Sequence, residues 1–169
     1  ETAENATQAS LTGHLVFSTL HTNDSAGAFM RLCDMGVDPF LVTSTIEGIL
    51  AQRLVRKLCN ECSQPVSLDE LDIPEDFPVD KVQSEGLTLR KQVGCPACRN
   101  TGYSGRLGIY ELLVSSDRIR ALAGEKAPTN EIKKAAVEEG MTTLRMDGWE
   151  KVLDGVTTVE EVLRVSKTD

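Results

Sequence analysis

Two Cys-x-x-Cys pairs constrain this chain more than any other feature of its sequence. Cys59 and Cys62 form the first pair, Cys95 and Cys98 form the second, and residues 63–94 lie between them. Each pair presents two sulfurs from one side, and four thiolates complete the closed tetrahedral shell of a structural zinc site. We therefore expect a zinc ion that clamps the intervening segment where it has little hydrophobic core of its own.

Other interpretations of these cysteines remain open. The four thiols can be reduced structural residues, or the two pairs can be redox motifs. An iron–sulfur cluster fits this spacing less well. A disulfide framework is disfavoured, because Cys33 makes the count odd and no secretory signal precedes the cysteines.

Composition excludes some classes of function. The chain has 169 residues and a formal net charge of −8, which argues against a non-specific nucleic-acid binder, because such a protein needs a basic surface. No run of 18 apolar residues occurs, so the sequence predicts no membrane-spanning helix. The first residues lack both a start methionine and a basic signal region. We expect them to come from the middle of a domain, and the chain to be a fragment.

Both histidines fall within one stretch, Leu11–Asp24. Residues 15–20 are rich in apolar, aromatic and β-branched types, which predicts a short buried strand. His21 and Thr22 then stand at the carboxyl end of this strand, where open α/β sheets bind ligands. An imidazole at that place can meet a phosphate oxygen or position a water molecule. The alternative is that His14 and His21 simply make local hydrogen bonds.

Helices are predicted on both sides of this stretch, at residues 1–12 and 24–35. Asp38 followed by proline then predicts the start of a longer helix over residues 38–58. Arg53 and Arg56 lie in its last turns, where they complement the helix dipole. They can instead face a phosphate or an acidic neighbouring subunit, and the sequence does not separate these possibilities.

The remainder divides into shorter segments. Ser67 and Glu70 have the spacing of a capping box and predict a short helix. Alternating residues around Leu89 and Leu107 predict two antiparallel strands that pair near the second cysteine pair. From Ser115 onward, stop signals at glycines delimit four short amphipathic helices. The predicted domains are 1–58, an α/β core; 59–98, a zinc-binding insertion; 99–114, a return to the core sheet; and 115–169, a helical subdomain.

Several of these motifs occur in one order that resembles the C-terminal part of the type II secretion and type IV pilus assembly ATPases. The resemblance covers essentially the whole chain. The tail of the family's acidic box resembles Glu1-Thr2-Ala3, and its histidine box resembles the stretch from Thr12-Gly13-His14 through Thr19-Leu20-His21-Thr22-Asn23. The helix that leads into its tetracysteine element resembles Ala51-Gln52-Arg53-Leu54-Val55-Arg56 before Cys59, and the segment after that element resembles Gly102-Tyr103, Gly105-Arg106 and Gly108-Ile109-Tyr110-Glu111-Leu112. The start of its C-terminal helix resembles Thr157-Thr158 with Glu160-Glu161-Val162.

This resemblance implies the C-terminal portion of a RecA-like phosphate-loop ATPase core in the α/β class. The parent would be a cytoplasmic homo-hexamer at the inner face of the bacterial inner membrane. It would use ATP and Mg²⁺ to drive a motor that acts on an inner-membrane platform protein and other secretion or pilus components. His21 would approach the γ-phosphate and His14 would support it. Thr22, Arg53 and Arg56 are candidate cofactor contacts.

One departure from the family bears on activity. ATPases of this type hold phosphates with the motif Gly-x-x-x-x-Gly-Lys-Ser/Thr, and no Gly-Lys pair occurs in this sequence. The family's catalytic glutamate is also expected upstream of Glu1. We therefore expect this chain alone to be inactive. The alternative function is a stand-alone zinc-stabilised interaction module, in which the histidine stretch is ordinary core.

Overall fold

The computed structural model describes residues 2–166, which form eight α-helices and four β-strands. Two compact units share the chain: one comprises the residues up to Ala51 together with Glu111–Thr143, and the other comprises Gln52–Tyr110 and the residues from Leu144 onward. The elements are α1 (Thr2–Leu11), α2 (Gly27–Asp34), α3 (Pro39–Thr45), β1 (Gly48–Leu58), β2 (Gln64–Val66), α4 (Val79–Glu85), β3 (Leu89–Lys91), β4 (Tyr103–Val114), α5 (Asp117–Gly124), α6 (Thr129–Glu138), α7 (Leu144–Leu153) and α8 (Val159–Val165).

The first unit is built on one hydrophobic core. Helices α2, α3, α5 and α6 surround it with one apolar face each, as their 3.6-residue periodicity requires. Glycine ends α2, since Gly36 adopts φ +90° and its amide donates to the Cys33 carbonyl at 2.9 Å. The buried core residues are Ala26, Phe29, Val37, Val42, Leu113, Ile119, Ala123, Ile132, Ala135, Ala136 and Met141.

The second unit joins the cysteine-containing segment to α7 and α8. Trp149 on α7 is buried, and its ring meets Phe77 edge-on at 5.2 Å between ring centroids. Its indole N–H donates to Asp76 at 3.1 Å, and Arg145 pairs with the same carboxylate. Aromatic burial and a satisfied indole thus fix the loop before α4 on this helix.

The strands form two separate two-stranded sheets, β1 with β4 and β2 with β3. In the first, the Ser115 amide donates to the Glu47 carbonyl and the Cys59 amide donates to the Gly102 carbonyl, so the strands run in opposite directions. In the second, Val66 lies opposite Leu89 in an antiparallel register.

The helix predicted over residues 38–58 is wrong beyond Thr45. Asp38 does cap α3 by accepting the Phe40 amide at 2.8 Å, but the chain then becomes strand β1. Val55 on this strand is fully buried, whereas Leu50 is 59% exposed. Hydrogen bonding to β4 outweighs the helix propensity of the Leu, Gln, Arg and Lys residues in this segment.

The strand predicted at residues 15–20 is also wrong, because this segment contains no regular structure. Leu15 is 83% exposed and Phe17 is 87% exposed. A buried strand needs hydrogen-bonded neighbours, and in residues 2–166 the strands pair only as β1 with β4 and β2 with β3.

The two strands predicted around Leu89 and Leu107 exist, but their pairing is wrong. The first, β3, pairs with β2, and the second, β4, pairs with β1. Periodicity identifies a strand but not the strand with which it pairs. Because residues 48–58 were predicted to be helical, the pairing of β4 with β1 could not be predicted.

The four predicted C-terminal helices are confirmed as α5–α8. The cap of α8 is Thr158, whose hydroxyl accepts the Glu161 amide at 3.3 Å. Helices α5 and α6 lie in the first unit, and α7 and α8 lie in the second. The four-segment division by function stays a prediction. None of the helices in residues 2–166 is long and apolar enough to span a membrane.

Candidate metal centre and histidine segment

The four cysteines of the two pairs converge in the second unit. Cys59 follows β1 directly, and Cys62 lies in the turn after it. Cys95 and Cys98 flank a short 3₁₀ turn whose first position is proline. Within residues 2–166, these four side chains are the one group of three or more potential ligands close enough to share a metal ion.

The distances between the sulfurs match a tetrahedral thiolate site. Cys59 Sγ lies 3.9 Å from Cys95 Sγ, Cys62 Sγ lies 3.9 Å from Cys98 Sγ, and Cys95 Sγ lies 3.8 Å from Cys98 Sγ. A zinc–sulfur bond of about 2.3 Å gives a tetrahedron edge of about 3.8 Å. All four ligand atoms lie within 4.8 Å of one another. The donor set and its size therefore fit zinc.

Backbone amides support the sulfurs. The Gly94 amide donates to Cys62 Sγ at 3.3 Å, and the amides of Cys95 and Gly102 each donate to Cys98 Sγ at 3.2 Å. Burial opposes ionisation of Cys98, but these two amides, together with hydrogen bonds from the thiols of Cys95 and Cys62, outweigh it and lower the pKa of the Cys98 thiol to about 6. Burial instead raises the pKa of the Cys62 thiol to about 11, against the Gly94 amide. Bonds of this kind orient metal ligands.

Two glycines are required by the turn around the second pair. Gly94 has φ +119°, and a Cβ there would lie 2.9 Å from the Asn100 carbonyl oxygen. Gly102 has φ +75°, and a Cβ there would lie 2.6 Å from Cβ of Gln92. Both positions combine a left-handed backbone with a close approach that excludes a side chain.

Glu161 fixes the end of β1 beside this site, a role that was not predicted from the sequence. The carboxylate is 1% exposed and accepts the Arg56 amide at 3.0 Å. It also pairs with the guanidinium groups of Arg56 and Arg164. Burial raises the pKa of Glu161, but these donors outweigh it and lower the pKa to about 2. Glu161 and Arg56 lie 105 positions apart along the chain, and no local sequence pattern predicts such a contact.

The predicted cofactor contacts Arg53 and Arg56 lie on β1. Arg56 is engaged by Glu161, and its guanidinium carbon lies 4.1 Å from the centroid of the Tyr103 ring. Arg53 donates to the Gln52 carbonyl at 3.2 Å. Neither arginine interacts with a helix dipole, because β1 is a strand. The predicted contact of both arginines with a nucleotide stays a prediction.

The two histidines lie at opposite ends of the irregular segment of the first unit. His14 Nδ1 is 3.0 Å from the Thr12 hydroxyl and 3.3 Å from the Ala9 carbonyl, and its side chain is exposed. His21 is also exposed. The Thr22 hydroxyl donates to the Asp24 carbonyl at 2.9 Å. Catalytic roles for His14 and His21 stay predictions.

Comparisons with known sequences match this chain to type II secretion and type IV pilus assembly proteins. The family described as type II/IV secretion system protein matches residues 1–164. Type II secretion system protein E of Pectobacterium carotovorum is 51% identical over the whole chain, which covers 33% of that protein. The type IV pilus assembly ATPase PilB of Thermus thermophilus is 49% identical over 96% of the chain and 18% of its own length. The chain thus spans a third or less of these relatives.

Solved structures show the same fold. The pilus retraction motor PilT with bound ADP superimposes with a TM-score of 0.62 at 23% identity, over 99% of this chain and 36% of PilT. The ATPase DotB of Legionella pneumophila gives a TM-score of 0.58 at 20% identity, over 97% of this chain and 35% of DotB. The predicted α/β fold class is confirmed.

Proposed function

The chain belongs to the type II/IV secretion system protein family, and on that basis we propose that it is the C-terminal part of an ATPase that powers type II secretion or type IV pilus assembly. The observation that carries the proposal is the family match over residues 1–164, with relatives near 50% identity that include a protein named as a pilus assembly ATPase. The tetracysteine cluster adds independent support, because it forms where the resemblance requires it.

In this proposal the histidine segment serves the nucleotide. His21 approaches the γ-phosphate of ATP with its Mg²⁺ ion, His14 supports that end of the site, and Thr22 and Arg53 contact the cofactor. Arg56 can join them only by exchanging its ion pair with Glu161 for a phosphate. An imidazole suits this role because it can donate to a phosphate oxygen or orient a water molecule at neutral pH.

The four cysteines hold zinc as a structural ion in this proposal. Its closed sulfur shell leaves no position for a substrate. The ion joins the end of β1 at Cys59 to the turn that precedes β4 at Cys98. It thereby closes the long connection between two paired strands and stabilises a segment with a small core.

The parent protein works as a homo-hexamer at the cytoplasmic face of the bacterial inner membrane, according to this proposal. It acts on an inner-membrane platform protein and other secretion or pilus components, and it does not bind nucleic acid. The net charge of −8 favours a protein partner over a nucleic acid. Contact with the membrane is made through partners and not by insertion.

The chain alone is inactive in this proposal, because hydrolysis needs a phosphate-binding loop that its sequence does not contain. The test compares phosphate release from Mg-ATP by this chain and by the full-length protein that contains it. We expect turnover only from the full-length protein. A full-length protein that does not hydrolyse ATP would favour the alternative, a zinc-stabilised interaction module. Comparable turnover by this chain would disprove its inactivity.

A further inference from the structure

A buried carboxylate in the first unit contacts the chain immediately after the histidine segment. Glu111 on β4 is 1% exposed. Its Oε1 accepts the Ser25 amide at 2.9 Å and the Ser25 hydroxyl at 2.5 Å. Burial of a carboxylate is unfavourable in free energy unless hydrogen-bond donors compensate for its lost hydration. We therefore expect a buried carboxylate at this position to have a specific structural role. Ser25 is itself fully buried, which keeps water away from both contacts.

Ser25 is one of several anchors on the same short turn. The Thr22 hydroxyl donates to the Asp24 carbonyl at 2.9 Å. The Asp24 carboxylate accepts the Gly27 amide at 2.9 Å and pairs with Lys133 on α6 at 3.3 Å. The backbone directly after His21 is therefore held by α2 and by side chains from β4 and α6.

The anchored turn contrasts with the residues before it. Leu15 and Phe17 are almost fully exposed and lie in irregular chain. Only at the His21 end does the segment meet buried, charge-assisted hydrogen bonds, which are stronger and more directional than neutral ones. The conformation of His21 is thus determined mainly from its carboxyl-terminal side.

We propose that Glu111 is a positioning residue, which fixes the Ser25 backbone and thereby sets the placement of His21. The proposal rests on the proposed function, because the placement of His21 matters for catalysis only if this histidine approaches a nucleotide. Glu111 itself touches neither histidine nor nucleotide in this proposal. A carboxylate differs from a neutral amide here because its charge strengthens both hydrogen bonds that Oε1 accepts.

The first experiment tests positioning in this chain without any catalysis. Glu111→Gln keeps the side-chain shape but weakens both contacts. The chain has only two histidines, so their ring signals can be followed by NMR and assigned by substituting each in turn. We expect the His21 signals to shift or broaden while the His14 signals stay in place. An unchanged His21 signal in a folded Glu111→Gln chain would overturn the proposal.

A matched control uses a second serine–carboxylate pair in the same unit. The Ser116 hydroxyl donates to the exposed Glu139 carboxylate at 2.6 Å, away from the turn after His21. Glu139→Gln makes the same chemical change and should leave both histidine signals in place. If Glu111→Gln does not fold, Glu111→Asp replaces it, because the shorter side chain keeps the charge and withdraws the carboxylate from both Ser25 contacts. An unchanged His21 signal in a folded Glu111→Asp chain would equally overturn the proposal.

The second experiment measures the consequence in the full-length protein. We expect Glu111→Gln to lower kcat for ATP about tenfold with KM within about twofold, because small displacements of a catalytic group cost rate more than binding. Glu139→Gln should retain wild-type kcat. Wild-type kcat in Glu111→Gln would overturn the catalytic importance of positioning. Absence of ATP hydrolysis in the wild type would instead refute the proposed function, while the NMR result would still decide the positioning.

Discussion

The cysteine cluster and the histidine segment differ in how far nearby residues determine their structure. The four cysteines come from two short turns whose own amides donate to the sulfurs and whose own glycines permit the backbone. The histidine segment has buried contacts at one end and exposed apolar residues over most of its length. A metal knuckle is thus specified locally, whereas a strand in a sheet is specified by its neighbours.

Among the substitutions that test this difference, removal of a metal ligand should have the largest effect on metal content and stability. Cys98→Ser removes one sulfur, which makes three hydrogen bonds with backbone groups. We expect loss of about one metal ion per chain and a loss of stability of roughly 5 kcal/mol, because binding of a structural metal is coupled to folding. Elemental analysis and chemical unfolding measure both effects. Cys33→Ser is the control, since Cys33 lies in the other unit, and it should retain the metal.

Substitution of Glu161 should have the next largest effect. Glu161→Gln leaves two arginines without their buried partner and should cost on the order of 2–3 kcal/mol at pH 7. Because the folded-state pKa lies below the ordinary value of 4.5, this stabilisation is present above pH 4.5 and is lost as the pH falls toward about 2.

Unfolding of wild type and Glu161→Gln across this pH range tests the sign of the effect. The stability difference between them should be constant near neutral pH and should shrink as Glu161 becomes protonated. A difference that grows on acidification would contradict a depressed pKa. Because Glu161 holds the strand that leads into Cys59, retention of the metal in this variant would show that the cysteine cluster is independent of its surroundings.

Gly102→Ala should have an intermediate effect that tests the local specification of the metal site. Gly102 has φ +75°, and an added Cβ would collide with Gln92. We therefore expect the free energy of unfolding to fall by about 2 kcal/mol and the metal to be lost more readily to a chelator. Gly140→Ala is a matched control with φ +99° and no atom within 4 Å. It should cost about 1 kcal/mol and leave the metal in place. Equal chelator sensitivity of both variants would contradict local specification.

Substitution of the exposed apolar residues should have the smallest effect. Phe17→Ser should change the free energy of unfolding by less than about 0.5 kcal/mol, because the side chain is 87% exposed. Burial of Phe17 in a strand would instead give a loss of about 3–5 kcal/mol. Val42→Ser, at a buried position of the same unit, provides the comparison for a core site. Urea unfolding of the three proteins measures these differences.

The elements that were predictable from the sequence were those specified by nearby residues. The cap at Asp38, the capping box at Ser67 and Glu70, and the four C-terminal helices all depend on contacts within a few positions. The convergence of the four cysteines belongs to this group, although the two pairs lie far apart in sequence, because thiolate chemistry makes the spacing of cysteines informative. Metal binding by the cluster stays a prediction.

The elements that were not predictable depend on distant partners. The apolar residues of β1 fit a helical face as well as a strand, and only pairing with β4 decides between them. Three such contacts are the pairing of β3 with β2, the contact of Glu161 with Arg56, and the contact of Glu111 with Ser25. They join residues that lie between 23 and 105 positions apart. No local pattern records such contacts.

The sequence by itself therefore determined the family, the grouping of the four cysteines and the positions of most helices. Tertiary structure alone decided that residues 48–58 form a strand, that residues 15–20 do not, and which carboxylates are buried. The physical reason is that caps, turns and thiolate ligands act over a few residues, whereas strand pairing and burial of charge depend on which distant groups the fold brings together.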